Sequence, residues 1–124
     1  MVEPQRLLWL FFSFSGRIDR RVFALAGVLL YLIRAYPIYR MVMANDDEAT
    51  IAFWFGIFAL IFGVLILSHL ALCAKRLHDC GYSGWWGLLF LVADIFFFLL
   101  LCLPKGMPGP NQYGPRTNSP GTRE

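Results

Sequence analysis

Residues 51–74 read IAFWFGIFALIFGVLILSHLALCA, and this run contains no Asp, Glu, Lys or Arg. A helix of about 20 apolar residues crosses the ~30 Å hydrocarbon layer of a bilayer, and a buried helix of a small soluble domain does not need this length. Charged residues make up only 15% of the 124-residue chain, whereas soluble domains usually carry about 25%. The run therefore predicts an integral membrane protein, with residues 51–74 as one transmembrane helix.

Two further apolar stretches flank this helix. Residues 85–103, WWGLLFLVADIFFFLLLCL, are interrupted only by Asp94 and are long enough to span. Residues 22–43 contain Arg34 and Pro37. This stretch reaches the opposite membrane interface if its helix continues through both residues. The two stretches predict a first and a third transmembrane helix.

The chain outside the three spans divides into a short leading helix and a tail. Apolar residues within 5–15 predict a helix that lies in the membrane interface ahead of the first span. Residues 104–124 are rich in Pro and Gly, and we expect them to be extended or disordered. The predicted fold class is an all-α integral membrane protein, with a membrane domain over residues 1–103 and a flexible tail over 104–124.

The distribution of cations predicts the orientation, because cytoplasmic segments beside transmembrane helices carry an excess of Lys and Arg. With three crossings, the N-terminal segment and the loop after residue 74 share one side. The expected topology therefore has a cytoplasmic N-terminus and a periplasmic C-terminus. The cations on the predicted cytoplasmic side are Arg6, Arg17, Arg20, Arg21, Lys75 and Arg76.

Residues 75–86, KRLHDCGYSGWW, have the composition of a helix–turn–helix reversal at the cytoplasmic surface. Asp79 follows Lys75 by four residues and Arg76 by three, so it can pair with either of them on one helix face. Gly81 suits the left-handed residue that ends a helix, and Ser83 suits the cap that begins the next. The aromatic residues that follow, which are typical of the headgroup level, are Trp85 and Trp86.

Two chemical roles for this stretch are alternatives to the reversal. A metal site would use four ligand-type residues, but their spacing lacks the repeated pairs of zinc sites. An enzyme acting on lipid would use His78 and Asp79 as acid and base. We predict no metal, no cofactor and no enzymatic activity. The four ligand-type residues are His69, Cys73, His78 and Cys80.

Charged residues within and beside the spans predict two ion pairs. Asp94 and Arg34 lie at similar depth, and an unpaired carboxylate in the hydrocarbon costs about 2.5–3.5 kcal/mol. We therefore expect either that the two residues pair or that burial keeps the carboxyl protonated. At the cytoplasmic surface, Arg17 or Arg20 is expected to approach Asp79.

Three motifs occur in order along the chain, FSGRIDRRVF, KRLHDCGYSGWWGLLFLV and GPNQYGP. With them the sequence resembles the bacterial family called domain of unknown function 805, which consists of small inner-membrane proteins. The resemblance implies a location in the bacterial inner (plasma) membrane and implies no established activity. Asp94 departs from the family, which more often has an apolar residue, Pro or Gly there. The matching positions are Gly16, Arg17, Arg20 and Arg21, then Arg76, Leu77, His78, Asp79, Ser83, Trp85 and Trp86, and finally Gly109, Asn111, Tyr113, Gly114 and Pro115.

Two functions remain open at this point. The first is binding of anionic lipid or a partner protein by a basic cytoplasmic face. The second is a small transporter or channel subunit that uses three intramembrane polar residues, Arg34, His69 and Asp94. Expected partners are membrane lipids and either a second copy or another membrane protein, and no nucleic acid is expected. The face proposed for binding consists of Arg17, Arg20, Arg21, Arg76, His78, Asp79, Trp85 and Trp86.

Overall fold

A computed structural model describes residues 4–120, and every regular element in this range is helical. By length and composition, three of its helical segments are able to cross a membrane, Arg20–Val42, Glu48–Asp79 and Gly84–Leu101. The all-α membrane class is therefore confirmed. The helices are α1 (Pro4–Phe12), α2 (Arg20–Val42), α3 (Glu48–Asp79), a 3₁₀ helix (Gly84–Leu89) and α4 (Phe90–Leu101).

Helices α2 and α3 form an antiparallel pair. Asp19 caps α2, and the helix continues through Pro37, so its 23 residues extend about 35 Å. The 32 residues of α3 extend about 48 Å, which is longer than the hydrocarbon layer. The pair thus has two distinct ends. We call the end at which α3 terminates the Asp79 end, and we call the opposite end, with the short connection between α2 and α3, the loop end.

The 3₁₀ helix and α4 form a re-entrant hairpin, because the backbone breaks at Ala93 (φ −126°, ψ 39°). The descending limb starts at the Asp79 end, where Gly84 lies against Ala74, and Phe90 stacks on His69 deeper in the bundle. The ascending limb returns to the same end, where Nε of Arg76 donates to the carbonyl of Leu101 at 2.9 Å.

The predicted third span therefore does not run from one end of the pair to the other. Its length and composition suffice for a crossing, but both of its ends lie at the Asp79 end. At standard rises the descending limb, residues 84–92, is about 16 Å long, half of the hydrocarbon layer. The N-terminal segment and the tail also meet, since Arg17 contacts the carbonyl of Met107. Arg17 and Met107 thus lie at the same end of the pair, which differs from the arrangement that three crossings predict.

The buried core lies in the half of the bundle nearest the Asp79 end, where α2, α3 and the re-entrant hairpin meet. Gly27 of α2 makes this possible, because a Cβ there would lie 2.1 Å from Cε1 of Phe98. Towards the loop end only α2 and α3 remain, and their large apolar side chains are exposed, as expected for surfaces that face lipid. The largest apolar side chains of the core include Phe23, Leu30, Leu72, Phe90, Phe97 and Phe98.

The tail after α4 differs from its expected disorder. Residues 104–120 form neither helix nor strand, as the Pro and Gly content predicted, but they fold back over the Asp79 end. Backbone bonds pair Arg17 with Ser119 in both directions, at 3.1 and 3.2 Å. The part of the tail prediction that covers 121–124 lies outside the described residues.

Helix α1 ends at Phe12, three residues before its predicted end, and contacts α3 through the bond from Oγ of Ser68 to the carbonyl of Phe11 (2.7 Å). Its position in the membrane interface stays a prediction.

Candidate functional site

A buried ion cluster occupies the Asp79 end. One carboxylate oxygen of Asp79 accepts a bond from Nε of Arg17 at 3.0 Å, and the other accepts one from Nη1 of Arg76 at 3.1 Å. All three residues are at most 1% exposed. Both predicted contacts of Asp79 are therefore confirmed, and each of its oxygens pairs with a different guanidinium.

The other donors of the two arginines hold backbone carbonyls of the tail and of the last residue of α4. Arg17 donates to the carbonyls of Met107 (2.7 Å), Gly109 (2.8 Å) and Gly114 (3.1 Å). Arg76 donates to the carbonyls of Leu101 and Pro104. Buried charge is tolerated only where such bonds replace water, so these contacts fix the tail to the helices.

Lys75 is a third buried cation and fixes the N-terminal segment in the same way. Its ammonium donates to the carbonyls of Trp9 (3.1 Å) and Ser13 and lies 5.3 Å from the centre of the Trp9 ring. The prediction had left Lys75 at a cytoplasmic surface, whereas it is 0% exposed. With Arg17, Arg76 and Asp79, it gives the cluster three basic side chains and one acidic side chain.

Asp19 and Asn118 close a second contact between the tail and α2. The side-chain amide of Asn118 donates to one oxygen of Asp19 at 3.0 Å and accepts from the Asp19 backbone at 2.9 Å. Burial would raise the pKa of Asp19, but bonds from the backbone of Val22 and from Asn118 outweigh it and hold that pKa below its ordinary value. The carboxylate is thus kept ionised where it caps α2.

His78 connects the helical reversal to the tail. Its Nδ1 lies 3.0 Å from the carbonyl of Gly16, and its ring stacks on Tyr113 at 4.1 Å with an interplanar angle of 7°. The side chain of Asn111 donates to the backbone carbonyl of His78 at 2.9 Å. The tail is therefore held by both stacking and hydrogen bonds.

Several residues predicted for a binding face are not at the surface. Arg17, Arg76 and Asp79 are buried and bonded internally, so a lipid or partner cannot reach them in this structure. Arg20 and Arg21 are exposed, and so are Trp85 (78%) and Trp86 (59%). Three further exposed residues at this end were not predicted from the sequence, because the tail was expected on the other side and one residue of the turn had no predicted role. They are Tyr82, Lys105 and Arg116.

A cavity of about 580 Å³ lies beside the ion cluster, between α3 and the 3₁₀ helix. Its walls are mainly apolar, with polar side chains gathered where the chain reverses. Its lining includes Leu70, His78, Ser83, Trp85, Leu88 and Tyr113.

A second polar cluster lies at the tip of the re-entrant hairpin. A nitrogen of Arg34 is 3.3 Å from the carboxylate of Asp94, and the hydroxyl of Tyr31 donates to the same group. The predicted pair is confirmed, although Asp94 reaches this depth at a turn and not within a crossing helix. His69 lies between the rings of Tyr31 and Phe90, and its Nε2 has no hydrogen-bond partner within residues 4–120.

The structure does not gather the ligand-type residues of the metal alternative. His69 is in the apolar core and His78 is at the reversal, and no three His, Cys, Asp or Glu residues in the described chain could hold an ion together. The acid–base alternative also loses a partner, because both oxygens of Asp79 bind arginines. The three cysteines, Cys73, Cys80 and Cys102, are free thiols.

Comparison with known proteins identifies the family. The sequence profile of the family described as "Protein of unknown function (DUF805)" matches residues 11–115. The chain belongs to this family. The resemblance that the three motifs carried is thereby confirmed, and with it the transmembrane character of the chain.

Relatives of this DUF805 chain include two proteins of Escherichia coli (strain K12). Inner membrane protein YhaH is 40% identical over 63 residues, which cover 48% of this chain and 52% of that protein. Inner membrane protein YhaI is 46% identical over 50 residues, which cover 39% of this chain and 42% of that protein. The chain thus spans about half the length of the curated relatives it matches. No solved structure matches it.

The three motifs that mark this chain as DUF805 meet at one place. Arg17 comes from the first motif, Arg76 and Asp79 from the second, and Gly109 and Gly114 from the third. They build the ion cluster and the tail contacts. In this chain the motifs therefore stabilise the structure of the Asp79 end. The exposed residues around the ion cluster are the candidates for binding a lipid or a partner.

Proposed function

We propose that this chain is an inner-membrane protein that binds anionic lipid at its Asp79 end, which faces the cytoplasm. The supporting observation is that several cations stay exposed there although the buried cations are satisfied internally. Exposed aromatic side chains, which suit the headgroup level, surround them. The cations are Arg20, Arg21, Lys105 and Arg116, and the aromatic residues are Tyr82, Trp85 and Trp86.

The position of Arg20 and Arg21 supports a lipid as the partner. Both lie in the first turn of α2, where a cation opposes the helix dipole. Arg20 donates one bond, to the carbonyl of Leu103 at 2.8 Å, which brings it close to Lys105. Each cation near an anionic membrane surface contributes about 1 kcal/mol, which more than offsets the unfavourable dipole.

Native mass spectrometry of the full chain, with phosphatidylglycerol or phosphatidylcholine added, tests this proposal. The parent protein should retain more phosphatidylglycerol, and Arg21→Gln combined with Lys105→Gln should weaken its retention about tenfold. Arg40→Gln near the loop end is the matched control and should leave it unchanged. Equal retention of both lipids by the parent protein would refute the binding of anionic lipid. So would a double variant that retains phosphatidylglycerol like the parent but loses a co-purifying protein.

A transport role is the second candidate, and one observation favours it. The side chain of Asp94 is 44% exposed although it lies beside Arg34 and Tyr31 at the tip of the hairpin. Intramembrane carboxylates often mark ion and proton paths. Proton flux into liposomes should then fall to the level of empty vesicles in Asp94→Asn and stay unchanged in Asp46→Asn, which alters the loop end. Flux in the parent equal to that of empty vesicles would refute this role.

A further inference from the structure

We infer that the cavity between α3 and the 3₁₀ helix binds one single-chain amphiphile whose uncharged hydroxyl group donates to Nε2 of His78. The ligand and the site differ from the anionic lipid and the exposed cations proposed above. The volume of about 580 Å³ lies within the usual range for small-molecule sites, about 300–1,000 Å³.

The walls of the cavity change from polar to apolar along its length. On α3 they run from His78 at the reversal to Leu70, two helical turns towards the bundle centre. On the 3₁₀ helix they run from Ser83 to Leu88 in the same direction. This gradient matches a molecule with a polar head near the membrane surface and an apolar chain towards the bilayer centre.

The hydrogen bond of His78 defines which head group fits. A carbonyl oxygen only accepts, so Nδ1 must donate to Gly16, 3.0 Å away. In the neutral imidazole Nε2 is then an acceptor. Gly84 leaves room beside it, since a Cβ at Gly84 would lie 2.9 Å from Nε2. The ligand must therefore bring a donor to this atom.

The positive charge nearby excludes a cationic head group, and the need for a donor excludes an anionic one. In the ion cluster two guanidinium groups, of Arg17 and Arg76, face the single carboxylate of Asp79, so its net charge is positive. An ammonium head would be repelled, and a phosphate or carboxylate head offers no proton. An alcohol hydroxyl is an uncharged donor, and both a fatty alcohol and a monoacylglycerol carry one.

Photocrosslinking of the full chain in nanodiscs tests the site, with a diazirine-bearing fatty alcohol as the probe. Crosslinks should map to Leu70, Trp85 or Leu88. Unlabelled octadecanol should compete at about fivefold lower concentration than its methyl ether, which lacks the donor. Monoacylglycerol as a further competitor distinguishes the two sources of the hydroxyl.

Two variants connect this preference to His78 and the cavity. In His78→Asn the side-chain amide can still donate to Gly16 but Nε2 is gone, so alcohol and ether should compete equally. Gly84→Ala should lower the crosslink yield at least threefold, whereas Gly56→Ala, with no atom within 4 Å of the added Cβ, should not. Crosslinks outside the cavity, or equal competition in the parent protein, would overturn the inference without affecting anionic-lipid retention at Arg21.

Discussion

Asp79 shows how far single residues could be predicted at the reversal. Its pairing with Arg76 follows from a spacing of three residues on a helix, and Gly81 adopts the expected left-handed conformation (φ 87°). The burial of the pair could not be predicted, because it depends on the tail carbonyls. A basic residue that the sequence predicts at the surface can be buried when backbone carbonyl oxygens replace the water molecules that hydrate it.

Asp79→Asn should strongly destabilise the protein, because it leaves the guanidinium groups of Arg17 and Arg76 buried without a counter-charge. Removing one partner from a buried pair costs about 3–5 kcal/mol. Thermal unfolding in detergent, followed by circular dichroism, should show a lowered midpoint. Asp46→Asn, at an exposed acid of the loop end, serves as control, and an equal midpoint in both variants would contradict the role of Asp79.

The pair of Arg34 and Asp94 allows a charge-swap experiment. Arg34→Asp and Asp94→Arg each place an uncompensated charge at the tip of the re-entrant hairpin, so each should lower the amount of folded protein in membranes. The double variant re-forms the pair and should restore at least half of that loss, measured by fluorescence-detected size exclusion. Without rescue, the 3.3 Å contact contributes little to folding.

The re-entrant hairpin is where prediction from sequence failed at the level of elements. A crossing helix and a hairpin that returns halfway have the same length and hydropathy, so residues 85–103 satisfied both. Two local features distinguish them in the structure, the break at Ala93 and the open face of Gly27 that receives Phe98. Neither feature can be recognised in the sequence, because a helix can break without a Pro and a single Gly within a helix can have many roles.

Gly27→Ala tests the docking of the hairpin on α2. The added Cβ would lie 2.1 Å from Phe98, and overpacking of this kind costs about 1–3 kcal/mol. The unfolding midpoint should fall, and Phe98→Leu added to Gly27→Ala should recover part of the loss by vacating the ring. Gly56→Ala is the control on α3 and should not lower the midpoint, because its added Cβ meets no atom within 4 Å and Ala favours a helix more than Gly does. A tolerated Gly27→Ala would argue against close packing here.

The tail shows a different limit of prediction from the sequence. Its Pro and Gly content correctly excluded regular structure, but docking uses mainly backbone carbonyls, which every sequence has. The side chains that contribute, Asn111, Tyr113 and Asn118, were visible only as part of a family motif.

Asn111→Ala should loosen the tail, because it removes the bond to the carbonyl of His78 and the one accepted from the backbone of Tyr113. Buried hydrogen bonds contribute about 0.5–1.5 kcal/mol each, so amide exchange over residues 105–119 should accelerate about tenfold. Hydrogen–deuterium exchange mass spectrometry measures this. Gln112→Ala, at the neighbouring exposed residue, should show parent-like exchange, and the same result for Asn111→Ala would count against the contact.

For the whole molecule, the re-entrant hairpin changes the count of charges on the two sides. With the tail at the Asp79 end, Lys105 and Arg116 join the six cations already assigned to the cytoplasm. Of the cations within residues 4–120, only Arg40 remains near the loop end, where the connection carries Asp46, Asp47 and Glu48. The bias towards a cytoplasmic Asp79 end is therefore larger than the sequence count with three crossings indicated.

This topology predicts that both termini are cytoplasmic, which reporter fusions to the full chain can check. A green fluorescent protein fused to the C-terminus should fluoresce, and alkaline phosphatase at the same place should be inactive, because its disulfides form only in the periplasm. Phosphatase inserted at Asn45 in the loop should be active and controls for expression. An active C-terminal phosphatase would contradict this topology, because the hairpin would have to open into a crossing helix. That opening would withdraw the carbonyls of Met107, Gly109 and Gly114 from Arg17. The buried guanidinium would then lose most of its partners, so one fusion assay tests both the topology and the ion cluster that depends on it.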